Sequence, residues 1–375
     1  MALPLNRFAS FIFLLSFVAS WLSSCTVDHP AAPTKPQSAY ISPPTTNGPS
    51  GLAYAMQLGT KCFVLDAKEQ FWQYDPINRS YTAKAKPPQL PELSRAGFFA
   101  IKLFTFSSAD KIYLGGQSTA AIPGTTDFPV FLHVYDPTTD TWTSTNPYPG
   151  NGNPYPDNYI GFFASGRGYA CSFVNGFANG SLTNQYRIYC YEYEPASSRW
   201  AKRFDTPFTL PSGLIYGNST QSVVLNGKAY WAVNAYPAAK VGKPLSNEDK
   251  YVCIYELNPQ TNELTLKLTT NPFGNGMPVS PSLQLGLSAD NKIWFVTDGG
   301  FDSTSSIANQ LFVYDSAVNQ LSQTSASLLT SSDKALHSSV GFSVNDHLYI
   351  GLGQYSFRNG TPAGLESGFA EFNVK

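Results

Sequence analysis

The sequence predicts an all-β fold, a six-bladed β-propeller with four-stranded antiparallel blades. Three observations predict it. Aromatic residues make up 14% of the chain and charged residues only 13%, a balance that suits many short strands packed sheet on sheet. One strand-end motif recurs six times along residues 50–375. A large apolar or aromatic residue follows the first five copies at a fixed offset.

The repeating unit is clearest in its second copy. Phe98–Phe104 reads as an apolar strand, Ser107–Asp110 as a turn, and Lys111–Gly116 as a second strand ending in two glycines. After a loop, Phe131–Pro137 forms a third strand, Thr138–Asp140 turns the chain, and Thr141–Thr143 opens a fourth. Such a run is an antiparallel meander.

The third-strand ends are Tyr74-Asp75-Pro76, Tyr135-Asp136-Pro137, Tyr193-Glu194-Pro195, Leu257-Asn258-Pro259, Tyr314-Asp315-Ser316 and Phe372-Asn373-Val374. They lie 61, 58, 64, 57 and 58 residues apart. Seven residues after the first five come Tyr81, Trp142, Trp200, Leu264 and Leu321. The second strands align as well, around Phe63, Tyr113, Ala170, Tyr230, Trp294 and Tyr349. Asn226-Gly227, Asp290-Asn291 and Asn345-Asp346 precede three of them and suit tight hairpins.

Gly115-Gly116, Tyr135 and Trp142 carry a resemblance to the Kelch repeat. The resemblance implies that the glycines let strands crowd near a propeller axis, and that the Tyr and Trp pack between adjacent blades. Only the second copy has the glycine pair in register; the fifth has Gly299-Gly300 shifted, and the sixth has Gly351 and Gly353. The sixth copy lacks a fourth strand because the sequence stops at Lys375. An N-terminal strand near Gln37–Ser42 is therefore expected to close the ring, which removes free sheet edges.

The N-terminal region has its own pattern. Residues 1–24 hold one charge, Arg7, and an apolar run from Phe8 to Ala19. Leu22-Ser23-Ser24-Cys25 resembles the bacterial lipobox, which implies a signal peptide over 1–24 and a lipid on Cys25. Residues 25–49 read as a lipidated cysteine and a Pro-rich tether that could include the closing strand, and 50–375 as the propeller. The expected location is extracytoplasmic, lipid-anchored to the cell envelope at the outer membrane, on either side of it. Loss of Arg7 leaves 23 basic against 25 acidic residues, with no like-charge block. Nucleic-acid binding has no electrostatic footprint here, and a monomer is expected.

Function is expected on the rim that carries the longer loops. Its most distinctive stretch is 146–159, where Tyr148, Tyr155, Asp157 and Tyr159 are candidate ligand-binding residues. Flat aromatic faces beside amides and a carboxylate suit a sugar or peptide; the same tyrosines could instead cap the core below. Cys62, Cys171, Cys190 and Cys253 match no CxxC pattern. They are either buried small side chains or, for Cys171 and Cys190 on neighbouring strands, a disulfide. Asp298-Gly299-Gly300-Phe301-Asp302 places carboxylates on a glycine loop without the alternating ligands of a calcium loop, and reads as a solvated turn.

No HExxH, GxSxG or Walker loop occurs. His133 lies alone on a strand, where a structural role is the simpler reading. No metal and no cofactor are expected. The first functional reading is thus a membrane-anchored binding module for a glycan, peptide or protein partner. The alternatives are a carbohydrate-processing enzyme, epimerase- or oxidase-like as the Kelch resemblance implies, and a structural envelope lipoprotein.

Overall fold

The computed structural model describes residues 39–49, 53–88, 90, 101–118, 128–149, 158–178, 181–243, 245–273, 282–298, 300–301, 306–307, 309–329, 336–356 and 362–375. They form a six-bladed propeller. The blades span 53–84, 101–144, 158–208, 214–270, 283–329 and 336–373; each is an antiparallel meander, and in blades 4 and 6 the first strand is interrupted, its two pieces (214–219 and 223–225; 336–337 and 340–344) both pairing the second strand. Six buried clusters hold the ring, each between two adjacent blades. One of them packs Cys62, Val64 and Tyr74 of blade 1 on Phe342, Leu352 and Phe369 of blade 6, so the ring is closed.

The strand-end motif has a local cause. The residue after each of the first five anchors is polar, and four of these side chains accept the N–H two residues on: Asp75 from Ile77, Asp136 from Thr138, Asn258 from Gln260 and Asp315 from Ala317. Such an Asx turn reverses the chain. The residue five beyond each anchor is left-handed: Arg79, Asp140, Ser198, Asn262 and Asn319, with φ between 50° and 57°. The seven-residue offset then makes each anchor face its partner directly across the hairpin: Tyr74–Tyr81, Tyr135–Trp142, Tyr193–Trp200, Leu257–Leu264 and Tyr314–Leu321.

These pairs also join blades. Trp142 Nε1 donates to Ala85 O at 2.9 Å, and Trp200 Nε1 to Asn146 O at 3.1 Å. Ala85 N–H in turn donates to Asp140, which also takes the Tyr135 hydroxyl at 2.7 Å. Asn319 Nδ2 repeats the device on Lys267 O. The outer hairpins of blades 2, 3 and 5 are thus tied to the last strand of the preceding blade or to the residues just after it.

The N-terminal segment closes the ring in its own way. Ala39–Tyr40 runs parallel to Leu328–Leu329 on the outer edge of blade 5. Ile41 is buried between blades 5 and 6. Ser42 makes one antiparallel bridge to Phe369 of blade 6, its N–H on Phe369 O at 3.1 Å. Thr45 and Thr46 then bond to blade 1 at Arg79 and Tyr81. The regular pairing expected beside blade 6 is replaced by a single bridge because Pro43 and Pro44 follow at once and have no N–H for a ladder. Residues 39–49 therefore belong to the packed propeller, and Gln37 and Ser38 lie outside the described residues.

Candidate functional site

Two of the four candidate ligand residues are core. Tyr148 and Tyr159 are buried, at 0% and 3% exposure. Tyr148 packs edge-on against Phe104, Tyr159, Tyr191 and Trp200, and the Tyr159 hydroxyl donates to Gln117 at 2.7 Å. The structure therefore assigns both to the seal between blades 2 and 3, with Tyr148 just past the last strand of blade 2 and Tyr159 on the first strand of blade 3. Tyr155 and Asp157 lie outside the described residues.

Cys171 and Cys190 face each other on the second and third strands of blade 3 and are disulfide-bonded. Cys62 and Cys253 are free and buried. His133 is buried, with Nδ1 3.1 Å from Ser144 Oγ, and burial lowers its pKa to about 4, so it is neutral. Among the described residues no three His, Cys, Asp or Glu side chains cluster as metal ligands. Asp298 caps the blade 5 link, its N–H on Ser282 O at 2.8 Å; Gly299 and Asp302 lie outside the described residues.

The first strands surround an axial cavity of about 370 Å³ that reaches the rim of short turns. Its narrow layer is a ring of small residues, one per blade: Ala55, Thr105, Gly161, Ser222, Gly286 and Gly341. A Cβ on Gly161 would lie 2.4 Å from Thr105 O, so glycine is required for that approach. Ser222 Oγ donates to Gly161 O at 2.8 Å, Ser343 N–H to Gln57 Oε1 at 3.0 Å, and Ser343 Oγ to Ser288 O. The described lining holds no ionisable side chain. This layer serves as the hub of the ring.

A second cavity, about 390 Å³, opens on the long-loop rim of blade 4. Five segments build it, the loop that carries Leu245 and four others. The first strand supplies Gly217 and Asn218, the end of the second Asn234–Tyr236, the start of the third Lys250 and Tyr251, and the link to blade 5 Phe273 and Ser282. A register shift between Tyr216 and Asn218 bulges the first strand at Gly217, where a Cβ would come within 3.0 Å of Asn234 O. The bulge brings Asn218 Oδ1 to 2.6 Å from Asn234 Nδ2. Asn234 also clamps the blade 5 link, giving Nδ2–H to Leu283 O and accepting Leu283 N–H.

The loop that walls the cavity is stapled by Asp249. Its carboxylate takes the Ser246 hydroxyl and N–H at 2.7 and 2.9 Å and the Lys240 ammonium at 3.0 Å. These contacts hold its pKa down at about 2. Asn271 Nδ2 donates to Glu248 O and fixes the same loop to the fourth strand. Lys250 is half-buried, and desolvation lowers its pKa. It is the one charged residue in the described lining, among Tyr236, Tyr251, Phe273 and Leu245. An ammonium, an amide and hydroxyls beside flat rings can hold an acceptor-rich ring such as a sugar. The sequence signal was the length of the loop over 234–249; it did not identify Asn218, Tyr236, Lys250 or Tyr251 as a group.

No protein-family model matches the chain, and no curated protein matches it in sequence. Solved structures do match in fold. YjhT superposes with a TM-score of 0.57 at 13% identity, over 89% of this chain and 97% of that one. A protein of unknown function from Dyadobacter fermentans gives 0.53 at 8% identity, over 92% and 99%. The α-L-arabinofuranosidase Arb93A of Fusarium graminearum, solved with an iminosugar inhibitor, gives 0.52 at 12% identity, over 91% and 98%. At these identities the likeness is one of fold, and by fold this chain is an all-β, six-bladed propeller.

Proposed function

We propose that the protein is a carbohydrate-processing propeller of the bacterial cell envelope, with its sugar seated in the blade 4 cavity. The observation that carries the reading is the lining itself, in which Tyr236 and Tyr251 stand with Asn218, Ser282 and Lys250 around one opening. The fold shared with an arabinofuranosidase adds support by analogy only, since propellers host unrelated activities. The Kelch-like Gly115-Gly116, Tyr135 and Trp142 support membership of that repeat class. Leu22-Ser23-Ser24-Cys25 supports removal of residues 1–24 and lipid attachment at Cys25.

Glycoside hydrolysis ordinarily uses two carboxyl groups flanking the scissile bond. The described cavity lining contains none. That observation favours a second reading, sugar binding without turnover. One experiment separates the two. The full chain is incubated in D2O with a panel of envelope and plant glycans, and products are followed by mass spectrometry and reducing-end assay. Processing predicts new reducing ends or deuterium in the sugar, lost in a Tyr236→Ala/Asn218→Ala variant. Saturable binding without either product supports the binding reading. No binding to any glycan rejects both.

A further inference from the structure

We infer that the His347–Glu371 pair is a pH-sensitive clasp on the closing blade, which holds the outer strand of blade 6 in acid and loosens it in alkali. The inference is independent of the carbohydrate reading.

The six blades repeat one position. A basic residue stands at the start of each second strand, two before its aromatic: Lys61, Lys111, Arg167, Lys228, Lys292 and His347. In blades 2 to 6 it pairs with a carboxylate of the third strand. Blades 4 and 6 match most fully. Tyr230 stands opposite Glu256, and Tyr349 opposite Glu371. Each tyrosine hydroxyl donates to its glutamate. Lys228 Nζ lies 2.9 Å from Glu256 Oε1, and His347 Nδ1 lies 2.7 Å from Glu371 Oε1.

The chemical difference between the two sites is the base. Lysine ordinarily keeps its charge across neutral pH, whereas histidine changes charge between about pH 5 and 8. Loss of that proton removes the ion pair, and in one tautomer it leaves Nδ1 as an acceptor facing the carboxylate. The clasp is therefore full on the acid side of the imidazole range and fades as pH rises through it.

Its position gives the change a consequence. Among the described residues, only the Ser42 bridge joins the far edge of the strand that carries Glu371. Phe372 of that strand packs between blades 5 and 6, and Phe369 between blades 6 and 1. The clasped strand thus contributes to both seams of the closing blade.

The surrounding groups keep their charge while the imidazole titrates. On blade 6 these are Glu371, Asp346, Lys375 and Tyr349; across the seam blade 1 presents Tyr74 and Cys62, with Asp75 and Arg79 beside Tyr74. Carboxylates, lysine and arginine ordinarily hold their charge over this range. Burial first, with nearby negative charge second, pushes the Cys62 thiol up to about 12 and raises the Tyr349 hydroxyl. Burial also raises the Tyr74 hydroxyl. His337, the other histidine of blade 6, lies at the opposite end of the blade, in register with Gln354.

The test is hydrogen–deuterium exchange of the full chain, in detergent, at about pH 5.5 and about pH 8.5, on either side of the imidazole range. Rates are corrected for the intrinsic pH dependence of amide exchange. Protection of peptides over 369–374 is expected to be about threefold higher at the acid pH, a modest ratio because side chains 34% and 53% exposed are screened by water. Peptides over 254–257, beside the Lys228–Glu256 pair, are the internal control and should not change. His347→Lys should give the acid level of protection at both pH values, and His347→Gln the alkaline level at both. Equal wild-type protection at the two pH values, an equal change in blade 4, or a pH dependence that survives in His347→Lys overturns the inference. If neither variant folds, the wild-type ratio of blade 6 to blade 4 decides alone.

Discussion

Gly161→Ala probes the hub of the ring. The added Cβ would stand 2.4 Å from Thr105 O and 2.9 Å from Thr105 N. Ordinary contact begins near 3.4 Å, so the first strands of blades 2 and 3 must part by about 1 Å. Both obstacles are backbone, and Ser222 Oγ already holds Gly161 O from the far side. Overpacking of this kind costs about 1–3 kcal/mol. Replacing glycine returns about 0.4–1 kcal/mol through the unfolded chain. At the middle of both ranges the net loss is about 1.3 kcal/mol, read as a lower urea midpoint at unchanged slope by tryptophan fluorescence. Gly115→Ala is the contrast, because its Cβ would meet the ring of Phe104 at 2.3 Å. Phe104→Leu should relieve much of that clash, whereas no side-chain change can relieve position 161. A Gly161→Ala protein as stable as wild type would refute the reasoning about the axial layer.

Tyr148→Ala should destabilise by about 3–5 kcal/mol, the usual cost of a fully buried aromatic, and should weaken glycan affinity only through unfolding; a selective loss of binding in a fully folded variant argues against its core role. Intact-mass analysis after alkylation under denaturing, non-reducing conditions should label Cys62 and Cys253 and spare Cys171 and Cys190; prior reduction should add two labels and cost roughly 2–4 kcal/mol of stability. Asp249→Asn should loosen the 238–250 loop and lower glycan affinity. Because the folded pKa of Asp249 is depressed to about 2, its stabilising effect is full above the ordinary carboxylate range, weakens as pH falls below about 4 and is lost as pH falls through about 2, so loop protection measured by limited pepsin proteolysis should persist at about pH 4 and fail near pH 2 in wild type. Cys25→Ala should release the protein from the membrane fraction, and unchanged sedimentation with membranes would reject lipid anchoring.

The parts of the fold that were legible in the sequence are the parts made locally. Tyr135, Asp136, Asp140 and Trp142 lie within eight residues and contain a whole turn, its side-chain cap and its cross-strand pair. That is why the repeat and the blade count could be read directly. The axial layer was not legible, because Ala55, Thr105, Gly161, Ser222, Gly286 and Gly341 share size rather than identity. The closing segment lies in the region the sequence indicates, but its parallel pairing with blade 5 was not legible, because Pro43 and Pro44 mark where a ladder must stop and not which blade edge the residues before them join. Tyr148 and Tyr159 look alike on a rim or in a seam until neighbours such as Phe104 and Trp200 are in place. The blade 4 cavity draws on Asn218, Tyr236, Lys250 and Phe273, which only the blade brings together.

Hydrogen–deuterium exchange of the full chain with and without a saturating glycan from the envelope and plant panel tests the central claim most directly. The account predicts slowed exchange in peptides covering 216–218, 234–251 and 282–284, with the axial strands 55–57 and 341–343 unchanged. Protection confined to the axial strands or to blades 1–3 would contradict it and move the site away from blade 4.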